Sequence, residues 1–174
     1  MKKYLILFFL IGALAMSVMV SINGSSLKKP SATPLGILNL EFAYNSSKAT
    51  TVMNAWAPNV SVDNIAVATR NTWLDFIFIF FYSIFLFLAS KALSRSIAGK
   101  FGRAGNWIAK GALLAGCLDV LENTGMLLSL AGKGSEMIAL ATTICSVIKW
   151  GLAVVAVLYV MTGTIGWWLA RKKG

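Results

Sequence analysis

The chain is 174 residues long, 57% hydrophobic and 13% charged, with a formal net charge of +10. A soluble domain of this size would need about a quarter of its residues charged to cover its surface, so the composition excludes an ordinary soluble protein and points to an all-α integral membrane protein. The basic residues cluster at the ends of apolar runs, as membrane topology demands, so nucleic acid is not an expected partner. Histidine is absent, which removes the commonest general base and the commonest ligand of catalytic metals. Cys117 and Cys145 lie inside apolar runs, far from any paired-thiol spacing, and no metal or cofactor is expected.

The first apolar run, "YLILFFLIGALAMSVMVSI" (residues 4–22), follows Lys2 and Lys3. Its "ALA" resembles a signal-peptide cleavage site, but the nineteen residues are enough to span a bilayer, and a retained signal anchor is the preferred reading. Residues 23–71 then form the one long connection. It opens with "NGSSLKKPSATPLG", whose Ser, Gly and Pro content reads as a flexible tether. The following stretch has apolar residues at Leu38, Phe42, Ala49, Val52, Met53 and Trp56, a spacing that predicts one or two short helices on or dipping into the outer leaflet. Pro58 ends that helical stretch, and "SVDNIAVATRN" starts a helix that runs on into the next span. Asn23, Asn45 and Asn59 match the glycosylation acceptor pattern, which is short enough to recur by chance.

The second span (residues 72–93) carries six phenylalanines between Phe76 and Phe87, as expected of a largely lipid-facing helix. The third covers residues 107–131. The fourth begins at Glu136, and a core of 136–160 suffices to cross the bilayer. Its run continues to Ala170, interrupted only by Lys149 among charged residues, and so has to tilt, project or bend at Gly163 or Gly166. With both termini cytoplasmic, ten basic residues fall inside and five outside, which satisfies the positive-inside rule. Trp107, Trp167 and Trp168 then suit the inner interface, and Trp56 and Trp73 the outer one. The expected architecture is a four-helix bundle, N-in and C-in, with an outer-face loop containing short interfacial helices.

Three of the six acidic residues, Asp75, Asp119 and Glu122, fall inside predicted spans. A charged side chain at mid-bilayer costs about 2.5–3.5 kcal/mol on insertion scales, so each needs a partner, water or a proton. At 100° per residue, Ala112, Ala115, Gly116, Asp119, Glu122, Asn123 and Met126 share one face of the third helix, an interior face of small and polar residues. On the fourth helix Thr142, Cys145, Ser146, Lys149, Ala153 and Ala156 form its counterpart. The short "GKGSE" turn folds the two into an antiparallel hairpin. Counting outward from it brings Lys149 level with Asp119 and Cys145 level with Glu122.

Lys149 is therefore expected to neutralise one acid, preferentially Asp119, in an ion pair that fixes helix register. That leaves Glu122, beside Asn123 and near Tyr82 in depth, without a positive partner. It is either packing polarity satisfied by neighbouring polar groups or a ligand, ion or proton site. Asp75 shares a face with Tyr82 two turns away and reads as a solvated or Arg70-paired carboxylate near the outer surface. Glu41 reads as the polar side of an interfacial helix.

Three stretches, "TPLGILNLEFA" (residues 33–43), "WLDFIFIFFYS" (73–83) and "LDVLENTGML" (118–127), resemble a family of small, uncharacterised bacterial four-helix integral membrane proteins. The resemblance implies four helices with acids facing inward, in the bacterial cytoplasmic membrane, and no particular activity. It also implies that Glu41 joins Asp75, Glu122 and Asn123 in a shared site.

Three functions compete. The first is binding of a lipid, a small apolar amine or a partner membrane helix in the polar interior, with the outer segment as a lid. The second is proton-coupled transport through Glu122, for which four helices are narrow and a homo-oligomer is expected. The third is an intramembrane enzyme using Glu122 and Asp75 as an acid/base pair, but no nucleophile elbow, metal-ligand set or phosphate loop accompanies them.

Overall fold

The computed structural model describes residues 3–57 and 63–172. Within them the chain forms six α-helices and no strand. These are α1 (Lys3–Asn23), α2 (Leu38–Glu41), α3 (Ser46–Trp56), α4 (Asn64–Ser96), α5 (Gly99–Leu128) and α6 (Glu136–Lys172). Four of them, α1, α4, α5 (extended by a π-turn at Ser129–Lys133) and α6, are long and apolar enough to cross a membrane. The expected helix stop at Pro58, the acceptor pattern at Asn59 and the terminal lysines Lys2 and Lys173 lie outside the described residues.

Local chemistry sets the helix starts. The Asp63 carboxylate accepts from the backbone N–H groups of Ile65 and Ala66 at 3.0 Å each, capping α4 well before residue 72. Asn45 caps α3 by accepting from the Lys48 N–H at 2.8 Å, which gives this asparagine a structural use. Continuous helix runs through Gly163 and Gly166 in α6. At about 1.5 Å per residue its 37 residues extend about 55 Å, beyond a hydrocarbon core of about 30 Å.

The helices α4, α5 and α6 pack as an up-down-up group whose facing residues are small. Gly116 lies against α4 so closely that a Cβ there would stand 2.8 Å from the Ser83 Cβ. The predicted inner face of α5 is buried, from Ala112 through Met126, whereas Leu114 and Leu121 point outward. On the side of the polar residues away from the cap, Leu86, Ala112 and Ala156 form a buried apolar cluster flanked by Tyr82 and Val160.

The helix α1 rests chiefly on α4, and its pattern of exposure follows from that. Phe9, Ala13 and Met16 are buried, while Leu7, Ile11, Leu14 and Val18 are exposed. The Phe9 ring meets those of Phe80 and Phe81 at 5.7 and 5.9 Å, and a Cβ at Gly12 would collide with the Phe81 ring. The α4 phenylalanines are thus partly a docking surface for α1, not only a lipid-facing one. Asn71 donates through Nδ2 to the Val20 carbonyl at 2.7 Å and ties the far end of α1 to α4.

Residues 24–57 form an ordered cap, not a flexible tether. Leu27 and Trp56 are fully buried together with Leu40, Ala43, Val52 and Met126. The Trp56 indole N–H donates to the Leu27 carbonyl (3.0 Å) and to Thr33 Oγ1 (3.2 Å), so Trp56 is the centre of this small core and not an interfacial anchor. The Lys29 ammonium donates to the Ala55 carbonyl, and the Ser46 N–H donates to Glu136 Oε2 at 2.5 Å, which fastens α3 to the start of α6.

The close approach of α4 and α5 yields a stability test. Gly116→Ala should destabilise the bundle by about 1–3 kcal/mol, because two Cβ atoms anchored on backbone must separate. Adding Ser83→Gly should recover part of the loss in thermal unfolding of the detergent-solubilised protein. A double variant no more stable than Gly116→Ala alone would contradict this contact.

Candidate functional site

Lys149, projecting from the middle of α6, is the hub of the polar interior. Its Nζ lies 2.6 Å from Asp119 Oδ1, 2.8 Å from Glu122 Oε1 and 3.6 Å from Glu41 Oε2. All four side chains are at least nine-tenths buried. The first two contacts have the length of charge-assisted hydrogen bonds. The hairpin level argument correctly brings Lys149 to Asp119, but Glu122 is not left unpaired. It lies one turn from Asp119 on the same face, and one flexible ammonium reaches both.

The remaining acids are drawn in by neutral donors. Tyr82 donates its O–H to Asp119 Oδ2 at 2.7 Å. Asn123 donates through Nδ2 to Asp75 Oδ2 at 2.9 Å, so Asp75 is turned into the bundle and not paired with Arg70. With the Asn23 amide oxygen turned toward it, Arg70 donates instead to Asn23 at 2.8 and 3.0 Å. Glu41 is buried, and its Oε2 also accepts from Ser146 Oγ (3.1 Å) and Trp150 Nε1 (3.3 Å). Thr143 Oγ1 donates to the Glu41 carbonyl at 3.0 Å. Glu41 is thus no surface group of an interfacial helix. The cap carries it down onto α6.

Ser146 and Trp150 were not among the expected site residues. Ser146 stands on the Lys149 face of α6, so helical spacing held a signal for it. Trp150 adjoins Lys149 in sequence but is partly exposed. Its role depends on the cap, which spacing within α6 cannot reveal.

A cavity of about 470 Å³ opens beside this network, between α1 and α6 and over α4. Leu10, Leu14, Phe78, Phe85, Ala153 and Val157 supply apolar walls. Glu41, Asp75, Tyr82, Asp119 and Lys149 supply its polar floor, with Trp150 at the side. Glu122 and Asn123 are fully buried and do not line it. They stand behind Lys149 and Asp75 and hold them. Glu122 Oε2 and Asn123 Oδ1 are buried acceptors that receive no hydrogen bond. Cys145 is half-buried and Cys117 exposed. Among the described residues, no three His, Cys, Asp or Glu side chains are grouped so as to hold a metal ion.

Three carboxyl groups share one ammonium, and a fourth, Asp75, is held by the Asn123 amide, so acids outnumber cations in this interior. In a low-dielectric interior such an imbalance has to be offset by protons, donors or a bound positive group. Comparison with protein-family models, curated proteins and solved structures gave no match.

Removing the hub should be costly. Lys149→Met strands Asp119 and Glu122 together and should destabilise the protein by about 3–5 kcal/mol. Adding Asp119→Asn and Glu122→Gln should restore much of that, since amides remain where charges stood. Strictly additive losses in thermal unfolding of the triple variant would show that Lys149 does not hold these acids. Glu122→Gln alone keeps an acceptor oxygen for Lys149 and should change stability little.

Proposed function

We propose that the protein is a multi-pass membrane protein, N-in and C-in in the bacterial cytoplasmic membrane, that binds an amphiphile in the cavity between α1 and α6. The occupant would have an apolar tail and a positively charged or hydrogen-bond-donating head. The observation that carries this reading is the cavity's composition. Its apolar walls meet a floor with more carboxyl groups than cations. Its volume lies within the range typical of small-molecule sites, about 300–1,000 Å³. Leu14, Trp150 and Val157 at its rim are exposed, so the mouth faces the side of the bundle, where an amphiphile in the bilayer would enter. A lipid or a small apolar amine fits this description better than a partner helix, which would need a longer apolar face than the cavity offers.

The membrane placement is supported by the four long apolar helices and by the excess of basic residues on the side of the α4–α5 turn. The motifs resembling small bacterial four-helix membrane proteins fit the same placement. Proton-coupled transport has less support, because the buried Leu86, Ala112 and Ala156 cluster lies between the polar network and the opposite end of the bundle. Carboxylate-based catalysis would call on Glu122 and Asp75 jointly, and only Asp75 lines the cavity.

Head-group preference tests the reading. Decylamine, decanol and decanoate would be titrated into the protein in maltoside detergent while the melting temperature is followed. The amine should stabilise most, the alcohol less and the carboxylate not at all. Glu41→Gln and Asp75→Asn should each weaken the amine effect several-fold. Equal stabilisation by amine and carboxylate would refute the proposal. Orientation is checked separately by thiol labelling of Lys100→Cys in a cysteine-free background, which should be accessible only from the cytoplasmic side.

A further inference from the structure

A second groove of about 470 Å³ lies between the first turns of α1 and the C-terminal parts of α4 and α6. Its walls are apolar along Leu7, Leu10 and Leu93, and one end is basic, with Lys3 on α1 and Arg95 on α4. Both basic side chains are exposed. Among the described residues every ion pair centres on Lys149, and neither Lys3 nor Arg95 has a carboxylate partner among them. Leu10 also lines the acid-floored cavity. The two hollows are therefore consecutive along α1, with opposite charge at their far ends.

We propose that this groove binds an anionic glycerophospholipid, its phosphate between Lys3 and Arg95 and an acyl chain running along Leu7 and Leu10. Charge selects the occupant and its direction. Two cations with no carboxylate partner among the described residues attract a phosphate, and basic pockets at the membrane–water boundary recognise anionic head groups in this way. The carboxyl groups beyond Leu10 would repel the same head group, so it cannot enter from that end. Lys3 to Leu10 spans about 10 Å of helix rise, enough for the upper part of an acyl chain. The floor, Ala89 and Ala92 on α4, is made of small side chains that leave room for it. A lipid seated here would also fill the gap that α1 leaves toward α6, fixing the angle of a helix held chiefly by α4. The inference needs the bundle to lie in a membrane but is independent of what occupies the acid-floored cavity.

Trp167 lines the groove and serves as a reporter. The protein would be reconstituted in phosphatidylcholine vesicles containing increasing fractions of dibrominated phosphatidylglycerol or, in a parallel series, dibrominated phosphatidylcholine. The part of the tryptophan quenching that disappears in Trp167→Phe reports this groove. It should saturate at a lower mole fraction of the anionic lipid than of the zwitterionic one. Lys3→Gln with Arg95→Gln should reduce that preference by on the order of tenfold, while circular dichroism remains unchanged because both side chains are exposed. Equal quenching by the two lipids, or a preference that survives the double substitution, would overturn the proposal. Absence of Trp167 quenching by either lipid would also overturn it, since the groove would then be filled by protein, such as a second copy of the chain. Loss of amine binding in the Glu41→Gln variant with Trp167 quenching intact separates the two sites.

Discussion

A single ammonium group organises this molecule. Lys149 joins α6 to α5 through Asp119 and Glu122 and to the cap through Glu41, and Asp119 extends the link to α4 through Tyr82. Breaking a buried pair strands a charge, whereas an intact one is only weakly favourable. Such a hub therefore contributes less to net stability than to choosing one arrangement of the helices. Helices with apolar outer faces can slide and rotate against one another at little cost, and small-residue interfaces such as Gly116 against Ser83 leave several registers open. Only one of them delivers three carboxyl groups to one Lys149.

The cap acquires its meaning from the same constraint. Its own core is small, built on Leu27, Trp56 and a few aliphatic neighbours, and it carries an acid into the bundle. Glu41 is made tolerable there by Ser146, Trp150 and Lys149, all on α6. Cap and bundle are thus mutually dependent. Without α6 the Glu41 carboxyl would be buried unpaired, and without the cap one wall of the cavity, at Ile37 and Leu38, would be missing. The cap is held to α6 partly by polar contacts at 3.0–3.6 Å.

The bundle was largely legible in the sequence because hydropathy and helical periodicity act within one segment. The inner face of α5, the matching face of α6 and the level of Lys149 with Asp119 all follow from 100° per residue and a short turn. What could not be read was whatever depended on contacts between distant segments. Glu41 and Trp56 looked like parts of interfacial helices because their partners, Ser146 and Leu27, lie 105 and 29 residues away. Position along the helix makes Asp75 read as a solvated or Arg70-paired carboxylate, but Asn123 from the neighbouring helix takes it. Glu122 reads as lacking a cation only if one lysine serves one acid, a rule that flexible ammonium groups with three donors do not obey.

The distribution of polarity along the bundle favours a site that holds its occupant over one that passes it through. Glu41, Asp75, Asp119, Glu122 and Lys149 are all gathered on the cap side, and the first turns beyond them are closed by Leu86, Ala112 and Ala156. A path for ions or protons needs polar groups or water on both sides of the network, and alternating exposure would have to open that apolar cluster. Lateral access has no such requirement. The gap between α1 and α6 already reaches the carboxyl groups from the side. Of the four long helices α1 has one principal neighbour, α4, and motion of α1 against α4 would change the cavity without disturbing the Lys149 network behind it.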